Sequence, residues 1–151
     1  MSETGETNKE TIRRLFAEVD RGNVEAAAGY YAPGYLDHTS APLRRQETGR
    51  EGLRRVFALF QEAFPDVRHT IEDLVSEGDR VVARVTTRAT HTGELFGHPP
   101  TGRAVTLTGI TIFRIVDGLI AERWAEGASL LEQLGIAPPE PGATGAAGGR
   151  G

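Results

Sequence analysis

The sequence predicts an α+β fold in which helices cover one side of an antiparallel sheet. Two observations support this prediction. In the first half of the chain apolar residues recur at helical spacing, whereas three long runs in the second half alternate with a period of two and follow one another closely. A strongly curved sheet closed by helices is a cone with an interior cavity, and this is the architecture we expect.

Three helices are predicted before the sheet. The first covers residues 11–21, where Gly22-Asn23 ends it, and the second covers residues 24–31 before Pro33-Gly34. A short irregular or extended piece, residues 35–38, and a polar loop follow. The third helix covers residues 49–64 and carries one apolar stripe, made of Leu53, Val56, Phe57, Phe60 and Phe64.

Four strands follow the helices. They are predicted at residues 67–77, 79–91, 105–115 and 118–126, and Asp117-Gly118 is a strong hairpin signal between the last two. The loop of twelve residues between the second and third strands is long enough to be a functional rim. A short amphipathic segment follows Ser129. We therefore expect one domain at residues 9–136, with a flexible start at 1–8 and a disordered Pro/Gly/Ala tail at 137–151.

Composition excludes several classes of function. The 151 residues include no cysteine, and the four histidines show no HxH or HExxH spacing, so no metal site is expected. A formal net charge of −4 argues against nucleic-acid binding. No apolar run is long enough for a membrane span and the start has no signal-peptide character, so a cytoplasmic protein without membrane contact is expected.

The last strand points to a pocket. With a period of two, Ile120, Glu122, Trp124 and Glu126 share one face. Two carboxylates would lose hydration in a packed core, and the only tryptophan would be wasted in water. A partly wet, concave pocket satisfies both, with Trp124 as a wall for a flat ligand.

A family resemblance rests on several short motifs taken together. These are Phe64-Pro65-Asp66, Thr90-His91-Thr-Gly-Glu-Leu-Phe-Gly, Pro100-Thr101-Gly102, Phe113-Arg114, Asp117-Gly118, Glu122-Arg-Trp124 and Gln133-Leu134-Gly135. Over residues 8–136 the chain resembles the SnoaL-like polyketide cyclases of the nuclear-transport-factor-2-like (NTF2-like) superfamily. The resemblance implies a cone-shaped α+β barrel, a hydrophobic small-molecule substrate, chemistry without metal or organic cofactor, and frequent homodimers.

The chain departs from that family at one position. Its aldol cyclases carry an acid/base aspartate four residues after the last-strand tryptophan, where this chain has Ala128. The family also includes members that open epoxides to close oxygen heterocycles, and hydroxylases. We therefore expect a cofactor-free cyclase of natural-product biosynthesis, slightly favouring hydroxyl attack on an epoxide. The alternatives are a polyketide ester (aldol) cyclase and a non-catalytic binding protein.

The candidate catalytic residues are His91, Glu126 and Tyr35. His91 and Glu126 end two long strands, and their convergence at one mouth would give an imidazole oriented by a carboxylate, which acts as a base near neutral pH. Tyr35 is the candidate proton donor to the epoxide oxygen, because it precedes Asp37-His38 at the end of the helical segment that we expect to line the pocket. Each also has a structural interpretation: His91 as the cap of a turn, Glu126 as a rim charge and Tyr35 as core.

The candidate substrate-binding residues are His38, Trp124, Glu122, Arg84 and Phe60. Arg84 and Glu122 have a structural alternative, an ion pair across strands, and His38 could instead bond a helix end. The sequence argues against a functional role for His69, which we expect near the surface, and for His98, which lies in the Pro-rich loop.

Overall fold

A computed structural model describes residues 3–38 and 49–136. In chain order the elements are α1 (Glu3–Asp20), α2 (Val24–Ala28), β1 (Tyr31–Asp37), α3 (Gly49–Ala63), β2 (Arg68–Glu77), β3 (Arg80–Thr90), β4 (Ala104–Val116), β5 (Leu119–Gly127) and α4 (Leu130–Leu134). The strands form one curved sheet in the order β1-β5-β4-β3-β2, which confirms the predicted α+β architecture.

The predicted sheet is confirmed strand by strand from β2 to β5. Each pairs antiparallel with its neighbour. The hairpin between β4 and β5 turns at Asp117 and Gly118, whose φ angles of 52° and 81° are those of a tight turn of the type that Asp-Gly favours. Long strands with branched side chains and a correct turn residue therefore have enough local information to be located from sequence.

Two helix boundaries differ from the prediction. Helix α1 already begins at Glu3, so residues 3–8, predicted as a flexible start, are helical. Its first turns are mostly polar and carry no apolar period, which is why the pattern gave no sign of them. The predicted tail and the polar loop 39–48 lie outside the described residues.

Strand β1 replaces the end of the predicted second helix. Helix α2 stops at Ala28, and Tyr31–Asp37 pairs parallel to β5 at the sheet edge. Pro33 is compatible with this position because an edge strand can omit one backbone donor. Tyr30 and Tyr31, interpreted as helical, are the residues at which the chain turns from helix to strand.

A β-bulge in β5 changes which residues face the interior. Arg114 lies opposite Glu122 but Ile115 lies opposite Ile120, so one extra residue stands in β5 between them. The alternation therefore shifts at Ala121: Ile120 is fully buried, and beyond the bulge the inward-facing residues are Arg123 and Ala125. The predicted shared face of Ile120, Glu122, Trp124 and Glu126 is wrong for this reason.

The long loop after β3 is anchored to the end of α3. The backbone N–H groups of Thr92 and Gly93 both donate to the Ala63 carbonyl, at 3.0 and 3.1 Å. A Cβ at Gly93 would lie 2.0 Å from the Glu62 carbonyl oxygen, so only glycine permits this approach. Leu95 is fully buried, and Phe96 packs edge-on against Phe60. The loop closes one end of the sheet's inner side.

No helix in the described part of the chain is long and apolar enough to cross a membrane.

Candidate active site

A cavity of about 570 Å³ lies between the inner face of the sheet and helices α1, α2 and α3. Its wall is mostly apolar, with the polar exceptions treated below, and is formed by Phe16, Val19, Val56, Phe57, Phe60, Phe64, Val85, Ala89, Val105 and Leu107 among others. Lining residues 126–129 and Asn23 are exposed and mark its opening. The predicted hollow inside the sheet is present, and Phe60 lies in its wall as predicted.

The cavity wall contains a histidine held by an aspartate. His69 lies near the start of β2 and Asp20 is the last residue of α1. One Asp20 oxygen, Oδ1, is 2.6 Å from His69 Nδ1, and the other, Oδ2, accepts the His69 backbone N–H at 3.0 Å. Both side chains are mostly buried, with 14% and 21% of their surface exposed, and the Phe16 ring lies 4.9 Å from the imidazole.

This geometry favours one tautomer of the imidazole. The Asp20 carboxylate accepts the proton of Nδ1, which leaves Nε2 as the nitrogen that can take a proton from a substrate. The second bond, from Asp20 to the backbone of the same residue, holds the carboxylate in place. His69 is therefore an oriented potential general base in an apolar cavity.

A second polar group lies in the wall of β5. The register places Arg123 opposite Phe113, a residue of the buried core, and so on the inner face. Its Nη1 donates to Asp37 Oδ2 at 3.0 Å, and the Tyr35 hydroxyl donates to the same oxygen at 2.8 Å. Only 18% of the Arg123 side chain and 6% of the Asp37 side chain are exposed.

Charge balance keeps Arg123 ionised. Burial, the largest influence, lowers the pKa of a guanidinium, but the attraction of Tyr35, Asp37 and Tyr31 outweighs it, so the pKa of Arg123 is raised. The cavity wall therefore holds an ionised guanidinium that is paired with Asp37.

Tyr35 is a partner of this ion pair rather than a lining residue. It lies within β1, is buried, and packs edge-on against Tyr31 at 4.7 Å. The prediction that it ends a helical segment lining the pocket is wrong, because the segment is an edge strand and its hydroxyl is directed to Asp37.

Trp124 lies on the outer face of the sheet. It sits opposite Ile112, while the His38 ring stacks on it at 4.9 Å and the Arg80 guanidinium lies 4.9 Å from its centre. Because the bulge reverses the alternation of β5, the side chains of Trp124 and Glu122 both lie on the outer face of the sheet and not on the cavity side. Their predicted position in the pocket wall is wrong.

Glu122 belongs to the same outer-face cluster. It accepts from Arg114 Nε at 2.5 Å and contacts His38 Nε2 at 2.7 Å. These hydrogen bonds, with that to His38 the larger influence, lower the pKa of the Glu122 carboxyl. His38 therefore has a carboxylate partner and an aromatic partner, both outside the cavity.

The predicted ion pair between Arg84 and Glu122 is not formed. Arg84 donates to Asp73 on β2 at 2.6 Å instead. Strand β4 lies between β3 and β5, so the two predicted partners are not on neighbouring strands. Arg84 is exposed on the outer face, away from the cavity.

His91 is fully buried at the base of the long loop. Its Nδ1 accepts the Thr101 backbone N–H at 3.1 Å and lies 3.0 Å from the Thr101 hydroxyl, while Phe64 packs on the ring at 5.4 Å. Its Nε2 is buried with no hydrogen-bond partner among the described residues. These contacts give His91 a structural position that differs from the predicted one, because its side chain joins the two ends of the loop through Thr101 and does not cap the Thr92-Gly93 turn.

The predicted His91–Glu126 pair is not formed. Glu126 on β5 pairs with Ile110 on β4, and Ile110 pairs with Arg84 on β3, so Arg84 is the residue of β3 at the level of Glu126. His91 lies seven residues beyond Arg84. That offset is roughly 20 Å along the strands. The pairing also puts the Glu126 side chain on the outer face with Ile110, at the exposed rim of the opening. The prediction is wrong because β5 ends well before β3 does.

Sequence reasoning missed Asp20, His69, Arg123 and Asp37. One signal for His69 was available: it shares its strand parity with Val67 and Ile71, which is the buried parity of a half-covered strand. No local signal joins it to Asp20, 49 residues earlier. Arg123 was hidden by the bulge. Among the described residues, no group of three or more His, Asp or Glu side chains could hold a metal ion.

Comparison with known proteins agrees with this architecture. The family model for SnoaL-like polyketide cyclases matches residues 10–134. The fold is thus that of the NTF2-like α+β proteins. The chain belongs to the SnoaL-like polyketide cyclase family.

Individual relatives support the same assignment. The chain is 27% identical over 138 residues to aklanonic acid methyl ester cyclase DnrD of Streptomyces peucetius, covering 89% of this chain and 95% of the relative. Among solved structures it is similar to IdmH of Streptomyces antibioticus, with 33% identity, a TM-score of 0.71 and coverage of 85% and 99%. TsrD of Streptomyces laurentii gives 29% identity, a TM-score of 0.74 and coverage of 91% and 99%.

Proposed function

We propose that this protein closes a ring in a polyketide intermediate by acid/base chemistry, with His69 as the general base and Asp20 as the residue that orients it. The observation that carries the proposal is the His69–Asp20 pair in the wall of a mostly apolar cavity. The family is one of polyketide cyclases, and the curated relatives act, by their names, on aklanonic acid methyl ester. We propose a substrate of that class.

In the proposed step, His69 Nε2 removes a proton from a carbon next to a carbonyl group. The enolate carbon then attacks a second carbonyl of the same molecule, so one carbon–carbon bond forms and the attacked carbonyl becomes an alkoxide. The alkoxide takes the proton back from the imidazolium. Protons and electrons balance between the substrate and His69, so we propose that the reaction needs no cofactor.

The position of Ala128 supports a relocated base. Ala128 lines the cavity near its opening, and its backbone N–H donates to the Thr108 carbonyl at 3.0 Å. A methyl group cannot transfer a proton, so the cavity depends on another acid/base group. His69, with its carboxylate, is a mostly buried group of that type in the lining, whereas Glu126 is exposed at the opening.

The test is turnover of aklanonic acid methyl ester by His69→Gln. We expect kcat to fall by roughly a hundredfold or more, the usual effect of losing an acid/base group, while ligand affinity by calorimetry is retained. His98→Gln is the matched control, because His98 lies in the long loop outside the cavity lining. Unchanged turnover in His69→Gln would refute the proposed base, and binding without any conversion by the wild type would favour a non-catalytic binding protein.

Epoxide opening is the second candidate reaction. The same base would take the proton of a substrate hydroxyl, whose oxygen then attacks an epoxide carbon of the same molecule. The C–O bond at that carbon breaks, and the alkoxide so formed takes the proton back from the imidazolium. The observation in its favour is Ala128, which removes the carboxylate that the resemblance associates with aldol closure. Product analysis distinguishes the two: conversion of a hydroxy-epoxide to a cyclic ether, without carbon–carbon closure of the ester, would replace the aldol proposal.

We also propose that the chain forms a homodimer through the outer face of its sheet. A row of paired outer-face residues crosses four strands and is apolar throughout: Val75, Val82, Ile112 and Trp124. Val75 and the nearby Ile110 are about half exposed, at 57% and 48%, which is unusual for large apolar side chains on one face. Light scattering should give the dimer mass for the wild type and the monomer mass for Ile110→Glu; a monomeric wild type would contradict the proposal.

A further inference from the structure

The two polar sites of the cavity lie on different strands of its wall. His69 on β2 lies opposite Thr87, which lies opposite Leu107 on β4, whereas Arg123 on β5 lies opposite Phe113. The Phe16 ring lies 4.9 Å from the His69 ring and 6.3 Å from the Phe113 ring. His69 and Arg123 are therefore separate groups that border one cavity.

The wall near Arg123 contains a second polar group. Thr111 lies two residues before Phe113 on the same inward parity, opposite Ala83 and Ala125, and it is 9% exposed in the cavity lining. Diagonal neighbours of this kind on adjacent strands are close enough for long side chains to reach. A cation and a hydroxyl thus face the same part of an otherwise apolar wall.

We propose that Arg123, positioned by Asp37, anchors a negatively charged oxygen of the substrate in the cavity. The oxygen belongs to a carboxylate, a phenolate or an enolate. This proposal rests on the proposed function, because both place the substrate in the same cavity. It makes a separate claim, which is that Arg123 binds the charged group of the substrate.

The chemistry of the pair supports an anchoring role. A guanidinium carries five N–H donors in a rigid fork, so it can hold Asp37 and a ligand oxygen at once. A buried ion pair is weak evidence for stability, because apolar residues of similar volume often serve a core as well. The two hydrogen bonds to one Asp37 oxygen, from Arg123 and from the Tyr35 hydroxyl, limit where the guanidinium can lie. Preorganisation of this kind favours recognition of a ligand group at a fixed place.

The test compares two probes that differ in one group, anthraquinone-2-carboxylate and its neutral carboxamide, by isothermal titration calorimetry. The wild type should prefer the carboxylate by about tenfold to a hundredfold, as expected for a charge-assisted hydrogen bond in a cavity. Arg123→Met should abolish the preference, and Arg123→Lys should keep part of it. Because Arg123→Met leaves Asp37 buried without its cation, the double variant Arg123→Met/Asp37→Asn, which leaves no unpaired carboxylate, should show the same loss.

The proposed anchoring role of Arg123 and the proposed role of His69 as general base can be refuted independently. His69→Gln should retain the preference for the carboxylate, whatever its effect on turnover. If Arg123→Met loses the preference for the carboxylate while His69→Gln keeps wild-type turnover, the proposed role of Arg123 stands and the proposed role of His69 is refuted. A wild type without the preference, including one that binds neither probe, or an Arg123→Met protein that retains it, would overturn the anchor.

Discussion

His69 Nδ1 lies 2.6 Å from Asp20 Oδ1, although 49 residues separate the two in the chain. The contact joins the last residue of α1 to the start of β2. Helix α1 packs against β2, which is an edge strand of the sheet. It turns an isolated strand histidine into an oriented one, in a cavity whose wall is otherwise mainly aliphatic and aromatic.

Asp20→Asn tests the orientation of the base rather than its presence. An asparagine amide can donate to His69 Nδ1, which places the ring proton on Nε2 and leaves no basic nitrogen toward the substrate. We expect kcat to fall by roughly a hundredfold to ten-thousandfold, the range for a catalytic histidine held in the wrong tautomer. Steady-state turnover measures this loss.

The control for that variant is Asp73→Asn, which removes a carboxylate from the exposed ion pair with Arg84. Its turnover should equal that of the wild type. Wild-type turnover in Asp20→Asn as well would mean that Asp20 does not orient the base.

His91→Ala tests the role of the buried loop histidine. The change removes the acceptor for the Thr101 N–H and leaves a cavity against Phe64. We expect the free energy of unfolding to fall by about 3 kcal/mol, from the lost packing and the orphaned donor together. Urea unfolding measures it, with His98→Ala in the same loop as the comparison.

Turnover separates the two interpretations of His91. If it pins the loop, turnover per folded molecule stays close to the wild-type value at a temperature where the variant is folded. If the variant is as stable as the wild type but has lost turnover, His91 acts in catalysis and not in holding the loop.

Glu122→Gln tests a pH-dependent contribution to stability. In the folded protein the hydrogen bonds from His38 and Arg114 hold the pKa of Glu122 below its ordinary value of 4.5. A lowered folded-state pKa means that the carboxylate stabilises the fold above pH 4.5 and that this contribution is lost as the pH falls. The variant should therefore be less stable than the wild type at neutral pH, and the difference should shrink as the pH falls below 4.5.

Urea unfolding at a series of pH values gives this difference, and Glu126→Gln is the matched control, because Glu126 is an exposed carboxylate on the same strand. A difference for Glu122→Gln that stays constant from neutral to acid pH would show that its hydrogen bonds do not favour the charged form. Turnover of Glu126→Gln also reports directly on the role predicted for that residue.

The sequence by itself determined the elements that carry strong periodic patterns. The stripe of Leu53, Val56, Phe57 and Phe60 located α3, and Asp117-Gly118 located the β4–β5 hairpin, because both signals depend only on neighbours in the chain. The combination of short motifs around Phe64 and His91 identified the family, and with it the cavity.

Only the tertiary structure decided which side chains enter that cavity. One extra residue at Ala121 reversed the alternation of β5, moving Trp124 and Glu122 to the outer face and Arg123 to the inner one. The unequal lengths of β3 and β5 separated His91 from Glu126, and the crossing of α1 over β2 brought Asp20 to His69. A period of two is a local property, whereas a bulge, a strand offset and a helix crossing are set by how the whole sheet packs.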